Sequence, residues 1–194
     1  MEQQHRVVVT GMGVVTSLGK DVETFWNSLL AGKSGISKIE SFDVSEYPTQ
    51  IAAEIHDFNP EDYVERKEAR KMDRYVQFAY AASTQALQDS GLKIGESIEA
   101  ERIGVIVGSG IGGLGTWEDQ FTTLLQKGPK RVSPFFIPMM IANMGSGDVS
   151  IKLGAKGPNT SVVTACATGT HSIGDSYKLI ARGDADAMIC GGAE

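Results

Sequence analysis

Short apolar runs alternate along this chain with longer segments of helical periodicity. Residues 6–10, 102–107 and 185–190 are runs of small and β-branched residues with glycine nearby, the pattern typical of buried strands. Between them, apolar side chains recur at spacings of three and four, as they do from Val22 to Leu29. Strands that alternate with helices predict an α/β protein with parallel strands joined by right-handed crossovers.

Start signals and periodicity predict four longer helices, over residues 22–30 after the cap residue Asp21, 67–89, 116–126 and 138–153. The last of these contains Gly145 and Gly147, each of which costs about 1 kcal/mol inside a helix. Glycines at that cost indicate close backbone packing. Asn59 and Pro60 form a further helix-start signal.

Four basic residues share one face of the longest predicted helix. Their positions are i, i+3, i+4 and i+7, so on a continuous helix they form one stripe: Lys67, Arg70, Lys71 and Arg74. A solvated helix face is the ordinary explanation of such a stripe. The net charge of the chain is −6, however, so clustered bases are unusual here, and an acidic protein would be steered to them. We favour a docking surface.

Cys166 is the main candidate for chemistry. Residues 161–164 are small or β-branched and predict the end of a buried strand, whereas Ile173, Tyr177 and Ile180 after the cysteine have helical spacing. Gly183 follows as a signal for the end of that helix. Cys166 is therefore predicted where a strand turns into a helix. Backbone N–H groups and the helix dipole at that point stabilise a thiolate or an oxyanion, which suits a nucleophile. A buried structural cysteine is the competing interpretation, and the pattern alone leaves both open.

The loop 108–113 follows a predicted strand and satisfies the dinucleotide pattern G-x-G-x-x-G. A dinucleotide fold also needs an acidic residue at the end of a second strand about 20 residues further on. Here a predicted helix follows, and then a proline-rich segment, so a nucleotide site is disfavoured.

The histidines offer no evident base for Cys166. His171 is five residues further on, about 140° around the helix axis, so it is not expected to face the sulfur. His5 and His56 have no carboxylate at a telling spacing, and the sequence shows no metal-ligand cluster.

Composition sets the broad class of this 194-residue chain. With 41% hydrophobic and 22% charged residues it is an ordinary globular protein, and its acidic balance argues against nucleic acid as a partner. Two cysteines make no disulfide framework and fit a reducing compartment. No signal segment and no run of about 20 apolar residues is present. We expect a cytoplasmic protein that does not insert into a membrane.

Long motifs are spread over the whole chain: RVVVTGMG at 6–13, RKEARKMD at 66–73, GSGIGGL at 108–114, SPFFIP at 133–138, TAC at 164–166 and GDADAMICGGAE at 183–194. In this order they resemble the β-ketoacyl-acyl-carrier-protein synthases, the condensing enzymes of fatty-acid synthesis. The type II, long-chain elongating form is the most similar. The resemblance covers all 194 residues.

The resemblance implies a thiolase-like layered αβαβα sandwich built from two similar halves, with residues 1–194 as the N-terminal half. It implies that Cys166 is the nucleophile that carries the acyl group. Ile111 and Phe136 are the implied acyl-pocket residues, although packing in the core is the ordinary role of a paired phenylalanine. The implied docking residues for acyl carrier protein are Lys67, Arg70 and Lys71.

The implied reaction is the Claisen condensation of an acyl-enzyme thioester with malonyl-acyl-carrier protein, which releases CO2 and gives 3-oxoacyl-acyl-carrier protein. The resemblance implies a homodimer and no cofactor. The family's two histidines and a lysine come from a second half that this sequence does not contain, so we expect residues 1–194 alone to be inactive in condensation and to self-associate.

Three alternatives stay open. The first two are a type I synthase and a polyketide condensing domain, which have the same fold and which pocket residues such as Ile111 would separate. The third is a non-catalytic partner of the chain-length-factor kind, against which Cys166 argues because such partners typically lack the nucleophile. Acyl chain-length preference is not fixed by these residues.

Overall fold

A parallel three-stranded sheet lies at the centre of the chain in a computed structural model that describes residues 5–194. Its middle strand, β3 (Ile103–Gly108), is buried along its whole length. On one side it pairs at only two positions with β4 (Asn159–Thr160), and on the other it pairs from end to end with β5 (Ala187–Gly192). Because all three strands run in the same direction, their carboxyl ends meet at one edge of the sheet. The predicted parallel α/β class is confirmed.

The described residues form seven α-helices: α1 (Val22–Leu30), α2 (Arg66–Ala69), α3 (Arg74–Ser90), α4 (Leu114–Lys127), α5 (Phe136–Met140), α6 (Met144–Leu153) and α7 (Thr168–Arg182). A short antiparallel pair is formed by β1 (Ser37–Lys38) and β2 (Ile51–Ala52). Four 3-10 turns complete the described elements: Pro60–Asp62, Ala100–Arg102, Pro129–Arg131 and Ala165–Ala167. No helix in the described part of the chain is long and apolar enough to span a membrane.

Helices cover both faces of the sheet. Val105 and Val107 of β3 form one core cluster with Ala79 of α3 and Val149 of α6. On the opposite face, the first turn of α7 approaches so closely that a Cβ atom on Gly108 would lie 2.4 Å from a methyl group of that turn. Because successive strand residues point to opposite faces, α3 and α6 cover one face and α7 covers the other.

The ends of two helices match their sequence signals. Asp21 caps α1, since its Oδ1 accepts a hydrogen bond from the Thr24 backbone N–H at 2.7 Å. Gly183 ends α7 with φ +83°, a conformation that L side chains rarely adopt. The predicted start and end of these helices are confirmed.

Polar residues, rather than apolar ones, form the buried side of α7. Ser172 and Ser176 are buried, whereas Ile173 and Tyr177 are 53% and 50% exposed. Small side chains permit the close approach of α7 to the sheet. The helix is confirmed, and its apolar stripe faces away from the core.

The predicted helix over 67–89 is wrong at its start. The structure ends α2 at Ala69 and starts α3 at Arg74, with Asp73 as the cap of the second helix. One Asp73 carboxylate oxygen accepts from the Tyr75 backbone N–H at 3.1 Å, and the turn before it buries Met72. The cap therefore replaces a continuous helix with two, and the four basic residues do not share one helix face.

The predicted helix over 138–153 is also two helices, α5 and α6. Two carbonyls at the break accept hydrogen bonds from elsewhere in the protein. The Met140 oxygen accepts from the Gly113 N–H at 2.8 Å, and the Ile141 oxygen accepts from the Tyr75 hydroxyl at 2.6 Å. Pro138 consequently lies inside α5 and does not start a long helix.

Residues 6–10 were predicted as a strand, and the structure forms none there. The chain just after this segment packs closely against the backbone of α3 instead. A Cβ atom on Gly13 would lie 1.9 Å from the Ala82 oxygen of that helix. Val8 and Val9 are 57% and 80% exposed. The apolar run therefore has no sheet neighbour among the described residues.

The predicted buried strand over 161–164 is likewise wrong. Strand β4 ends at Thr160, and Val163 is 56% exposed. The Thr164 N–H donates to the Thr168 hydroxyl at 2.9 Å, so it is used by the start of α7 and not by a strand ladder.

Candidate active site

Cys166 lies in the 3-10 turn between β4 and α7, and its side chain is exposed. The preceding residue, Ala165, has φ +50°, and it is the one non-glycine residue with positive φ in the described part of the chain. Such a conformation costs about 1–3 kcal/mol and is found mostly where function requires it. The strained turn presents the sulfur to solvent, so Cys166 is not a buried structural cysteine.

Close packing holds this turn at the carboxyl edge of the sheet. A Cβ atom on Gly192 would lie 3.1 Å from the Gly169 Cα, and Gly108 approaches the side chain of Thr168. Glycines at the ends of β3 and β5 therefore let the first turn of α7 contact the strands. The Ala167 N–H donates to the Thr164 oxygen at 3.1 Å, which closes the turn around Cys166.

Cys190, the second thiol, has a different environment. It is half-buried in β5, and burial raises the pKa of its thiol above the ordinary value. A thiol with a raised pKa supplies little thiolate near neutral pH. The prediction that Cys190 is part of the interior agrees with this position.

The glycine loop after β3 lies beside the cysteine turn. A Cβ atom on Gly110 would lie 3.4 Å from the Ala165 Cα. The Glu194 carboxylate accepts hydrogen bonds from the backbone N–H groups of Gly110, at 2.7 Å, and Ile111, at 3.1 Å. Because the protein's own carboxylate takes these donors, the loop does not offer them to a phosphate, which further disfavours a dinucleotide site.

Sequence reasoning did not single out Glu194. Its backbone partners lie 84 and 83 residues earlier in the chain. A backbone N–H is present at almost every residue, so its hydrogen bond to Glu194 cannot be recognised from residue types. The one signal in the sequence was the glycine loop, whose N–H groups need an acceptor.

A cleft of about 570 Å³ opens beside the glycine loop. Its walls include Met72 and Phe78 on one side and Ile111 and Leu114 on the other. Ile111 is 64% exposed and lines this largely apolar space. The structure therefore places Ile111 on the wall of the cleft, and its contact with an acyl chain stays a prediction.

Neither Cys166 nor Phe136 lines that cleft. Cys166 is connected to it through the glycine loop, whereas Phe136 is half-buried at the start of α5. The structure thus brings Ile111 close to the cysteine turn and does not bring Phe136 to the same cleft. An acyl-pocket role for Phe136 stays a prediction.

Asp73 joins the two helices that border the cleft. While one of its carboxylate oxygens caps α3, the other accepts from the backbone N–H and the hydroxyl of Thr116 at 3.3 and 2.5 Å. Asp73 therefore fixes the start of α4 against the start of α3. This contact is what breaks the predicted long helix and shapes one wall of the cleft.

Three basic residues predicted to dock a carrier protein lie on α2 and just after it. Lys67 and Arg70 are exposed. The Lys71 ammonium lies 2.7 Å from the Glu68 carboxylate and 5.5 Å from the centre of the Phe135 ring. The hydrogen bond from the Lys71 ammonium lowers the pKa of the Glu68 carboxyl. Lys67 and Arg70 are thus the more accessible pair.

Arg74, the fourth basic residue of the predicted stripe, is directed elsewhere. Its guanidinium donates to the Ile55 oxygen and lies 5.0 Å from the centre of the Phe78 ring. It therefore belongs to the packing around the start of α3.

Two of the three histidines among the described residues pair with carboxylates. His171 lies 3.4 Å from Asp175 on the same helix, and His56 lies 3.7 Å from Glu54. The sequence offered no carboxylate at a telling spacing for His56, and the structure supplies one two residues earlier. Across residues 5–194, no three His, Cys, Asp or Glu side chains are grouped so that they could hold a metal ion.

Residues 4–194 match the family model described as "Beta-ketoacyl synthase, N-terminal domain". The chain belongs to the β-ketoacyl synthase family. The resemblance drawn from the motifs is confirmed. With the parallel sheet covered on both faces, the fold is the N-terminal half of the thiolase-like layered α/β sandwich.

Two curated relatives are similar over nearly the whole of this β-ketoacyl synthase domain. The 3-oxoacyl-[acyl-carrier-protein] synthase 2 of Staphylococcus aureus (strain COL) is 54% identical over 194 residues, which are 100% of this chain and 47% of the relative. The protein of the same name from Coxiella burnetii (strain RSA 493 / Nine Mile phase I) is 54% identical over 192 residues, 99% of this chain and 46% of the relative. The chain thus spans about half the length of the curated relatives it matches.

A solved structure is also similar over nearly the whole of this chain and about half of its own length. The ishigamide ketosynthase/chain length factor superposes with a TM-score of 0.88 and 32% identity, over 98% of this chain and 48% of that chain. The overall arrangement of helices and strands in this chain is therefore similar to that of the ishigamide ketosynthase/chain length factor.

Proposed function

We propose that this protein acts in fatty-acid chain elongation as the N-terminal half of a 3-oxoacyl-[acyl-carrier-protein] synthase. The observation that carries the proposal is the exposed thiol of Cys166 on a strained turn before α7. The names of relatives at 54% identity support it. Residues 1–194 form a single unit of the enzyme in this proposal, and a second half completes the site.

In the first step, the Cys166 thiolate attacks the carbonyl carbon of an acyl thioester on acyl carrier protein. A new carbon–sulfur bond forms to Cys166, the bond to the carrier sulfur breaks, and the carrier thiolate leaves and takes a proton. The backbone N–H of Cys166, together with one from the second half of the enzyme, stabilises the oxyanion of the tetrahedral intermediate. The role of the Cys166 N–H follows from its position directly before the helix.

In the second step, malonyl-acyl-carrier protein loses CO2, and the resulting carbanion attacks the thioester carbonyl carbon on Cys166. The cysteine leaves as a thiolate, and the product is a 3-oxoacyl-acyl-carrier protein two carbons longer. The described histidines are engaged elsewhere, since His171 and His56 each pair with a carboxylate and His5 lies beside Gly183, at the other end of α7 from Cys166. The bases that assist decarboxylation therefore come, in this proposal, from the second half of the enzyme.

Substrate contacts are assigned in the same proposal. Ile111 and Phe136 line the path of the acyl chain, and the apolar walls of the cleft beside Ile111 support this for the first of them. The carrier protein docks at a set of basic residues on and after α2: Lys67, Arg70 and Lys71. The working form is a cytoplasmic homodimer that needs no cofactor.

A polyketide condensing domain is the second candidate. The similarity to the ishigamide ketosynthase/chain length factor favours it, although the 54% identity to fatty-acid synthases favours elongation more strongly. A non-catalytic chain-length-factor role is disfavoured because Cys166 is present. Incubation with malonyl-acyl-carrier protein and no reductase distinguishes the two condensing functions, since a polyketide enzyme extends its own 3-oxoacyl product and a fatty-acid enzyme stops after one condensation.

Intact-mass measurement and peptide mapping after incubation with an acyl-acyl-carrier protein test the proposal. We expect one acyl group on the peptide that contains Cys166 and none on the peptide that contains Cys190. The Cys166→Ala variant is the control and should take no acyl group. An adduct on Cys190, or no adduct on protein that circular dichroism shows to be folded, would contradict the proposed nucleophile.

A further inference from the structure

We propose that Glu194 is a positioning residue that fixes Ile111 relative to Cys166 and so influences which acyl chains the thiol accepts. The inference rests on the proposed function, in which Cys166 takes the acyl group and Ile111 lines its path. Glu194 does not itself contact a reacting atom in this proposal. It acts through the backbone of the glycine loop.

Both oxygens of the Glu194 carboxylate bind the loop. Oε2 accepts from the Gly110 N–H at 2.7 Å and from the Ser109 hydroxyl at 3.3 Å, and Oε1 accepts from the Ile111 N–H at 3.1 Å. Hydrogen bonds to a charged acceptor are about twice as strong as neutral ones. Two consecutive backbone N–H groups are thus held by one side chain that lies two residues after β5.

The loop has few other restraints at this point. Strand β3 ends at Gly108, so the sheet ladder no longer holds residues 109–112. The buried Ser109 hydroxyl accepts from the Gly112 N–H at 2.9 Å, and Gly112 itself has φ +85° and lies against the Met140 oxygen. The loop is therefore fixed after Ile111 by α5 and before it by Glu194.

A displacement of the loop would change the positions of Ile111 and of the turn that carries Cys166, which lie at the two ends of the proposed acyl path. Ile111 is 64% exposed, so its position depends on its backbone more than on packing of its side chain. Gly110 lies against the strained Ala165, where a Cβ atom would be 3.4 Å from the Ala165 Cα. Loss of the Glu194 carboxylate is therefore expected to shift the acyl contact relative to the sulfur without removing either one.

The test compares Glu194→Ala and Glu194→Gln with the wild-type chain. The matched control is Glu99→Ala, which removes the same charge from an exposed residue before the other end of β3. The first measurement is amide hydrogen exchange of the peptide that spans 108–114. The second is the ratio of initial Cys166 acylation rates from octanoyl- and hexadecanoyl-acyl-carrier protein.

We expect exchange at 110 and 111 to be about tenfold faster in Glu194→Ala, because each lost hydrogen bond of this kind is worth about a factor of ten. The acylation ratio should change by about threefold or more, as a small displacement of a pocket wall does for substrates that differ in length. Glu194→Gln should be intermediate, since its amide nitrogen cannot accept a hydrogen bond. Glu99→Ala should match the wild type in both measurements.

The outcomes separate the two proposals. Unchanged exchange in a folded Glu194→Ala variant would overturn the positioning role, and so would faster exchange with an unchanged acylation ratio. If Glu194→Ala does not fold, Glu194→Gln decides between the same results. A wild-type chain that takes no acyl group would overturn the proposed function, and the positioning inference with it.

Discussion

At the scale of single residues, the two thiols of the chain differ in the chemistry that their surroundings permit. Cys166 is exposed on a turn, whereas Cys190 is half-buried and has a thiol pKa raised by burial. Alkylation requires both access and thiolate. We therefore expect iodoacetamide at pH 8 to modify Cys166 about tenfold faster than Cys190 or more.

The pH dependence follows from the direction of the pKa shift. Because the pKa of Cys190 is raised, its thiolate fraction, and hence its rate, should continue to increase as the pH rises above the ordinary range of a thiol. Time-resolved peptide mapping measures both rates in one sample. Equal rates for the two cysteines at pH 8 would contradict the contrast in environment.

The sequence revealed Cys166 and missed Glu194 for a physical reason. The helical spacing after Cys166 lies in neighbouring residues, so it locates the turn before α7 without knowledge of the fold, although the strand predicted over 161–164 does not form. Glu194 acts on backbone N–H groups more than 80 residues away in the chain. The positive φ of Ala165 is equally invisible, because alanine gives no signal for that conformation.

At the scale of helices and strands, the sequence predicted a helix end correctly where the residues at that end determine it. The cap of α1 and the glycine end of α7 are of this kind. The breaks before α3 and α6 are not, because distant partners decide them. Thr116 binds the cap residue Asp73, and Tyr75 binds the Ile141 carbonyl.

Glycines inside helices provide a test of packing at this scale. A Cβ atom on Gly145 of α6 would lie 3.2 Å from the buried ring of Tyr75, whereas one on Gly174 of α7 would have no neighbour within 4 Å. We expect Gly145→Ala to reduce the free energy of unfolding by about 1–3 kcal/mol. Gly174→Ala should increase it by about 0.5–1 kcal/mol.

Urea unfolding of both variants and the wild type measures these changes. The two substitutions add the same methyl group to helix interiors, so each is the control for the other. A Gly145→Ala variant at least as stable as the wild type would show that the contact with Tyr75 does not limit the packing of α6.

Helix α2 carries the second prediction at this scale. Reversal of charge at Lys67 and Arg70 should slow acyl transfer from acyl carrier protein by about tenfold at low salt, because the acidic partner loses electrostatic attraction. The difference should shrink as salt increases. Transfer from a small acyl thioester should not change.

Stopped-flow or quenched acylation assays measure these rates, and Lys93→Glu, an exposed charge reversal away from α2, is the control. Equal losses for the carrier-bound and the small thioester would assign the effect to Cys166 itself and not to docking.

At the scale of the whole molecule, the class of fold was predictable and the neighbour order was not. Alternating strands and helices predict a parallel sheet, but the order β4-β3-β5 places the earliest of these strands in the middle. No local pattern identifies which strand is central. The buried run at 103–107 shows only that the strand is covered on both faces.

The exposed surface carries a prediction about association. On α4 the rings of Trp117 and Phe121 stack with their centres 5.0 Å apart, and Leu125 on the same helix is 71% exposed. An apolar helix face of this kind favours contact with another protein surface. We expect the 194-residue chain to self-associate, with a sedimentation coefficient that rises with concentration.

Sedimentation velocity over a range of concentrations makes the measurement. Leu125→Glu should reduce the association, whereas Gln88→Glu, which adds a charge at an exposed site on α3, should not. A wild-type chain that stays monomeric throughout would contradict the prediction.

The central position of β3 also has a consequence during synthesis. Its first residue pairs with Ala187, which is added 84 residues later, as is the Asp186 partner of Arg102. At about 5–20 residues per second, a ribosome needs roughly 4–17 s to supply them. During that time the buried strand β3 lacks β5, its longer neighbour, so one of its edges is unpaired. Such an edge readily pairs with other strands. The chain is therefore most vulnerable to misassembly before the segment that carries Cys166 and β5 has been made.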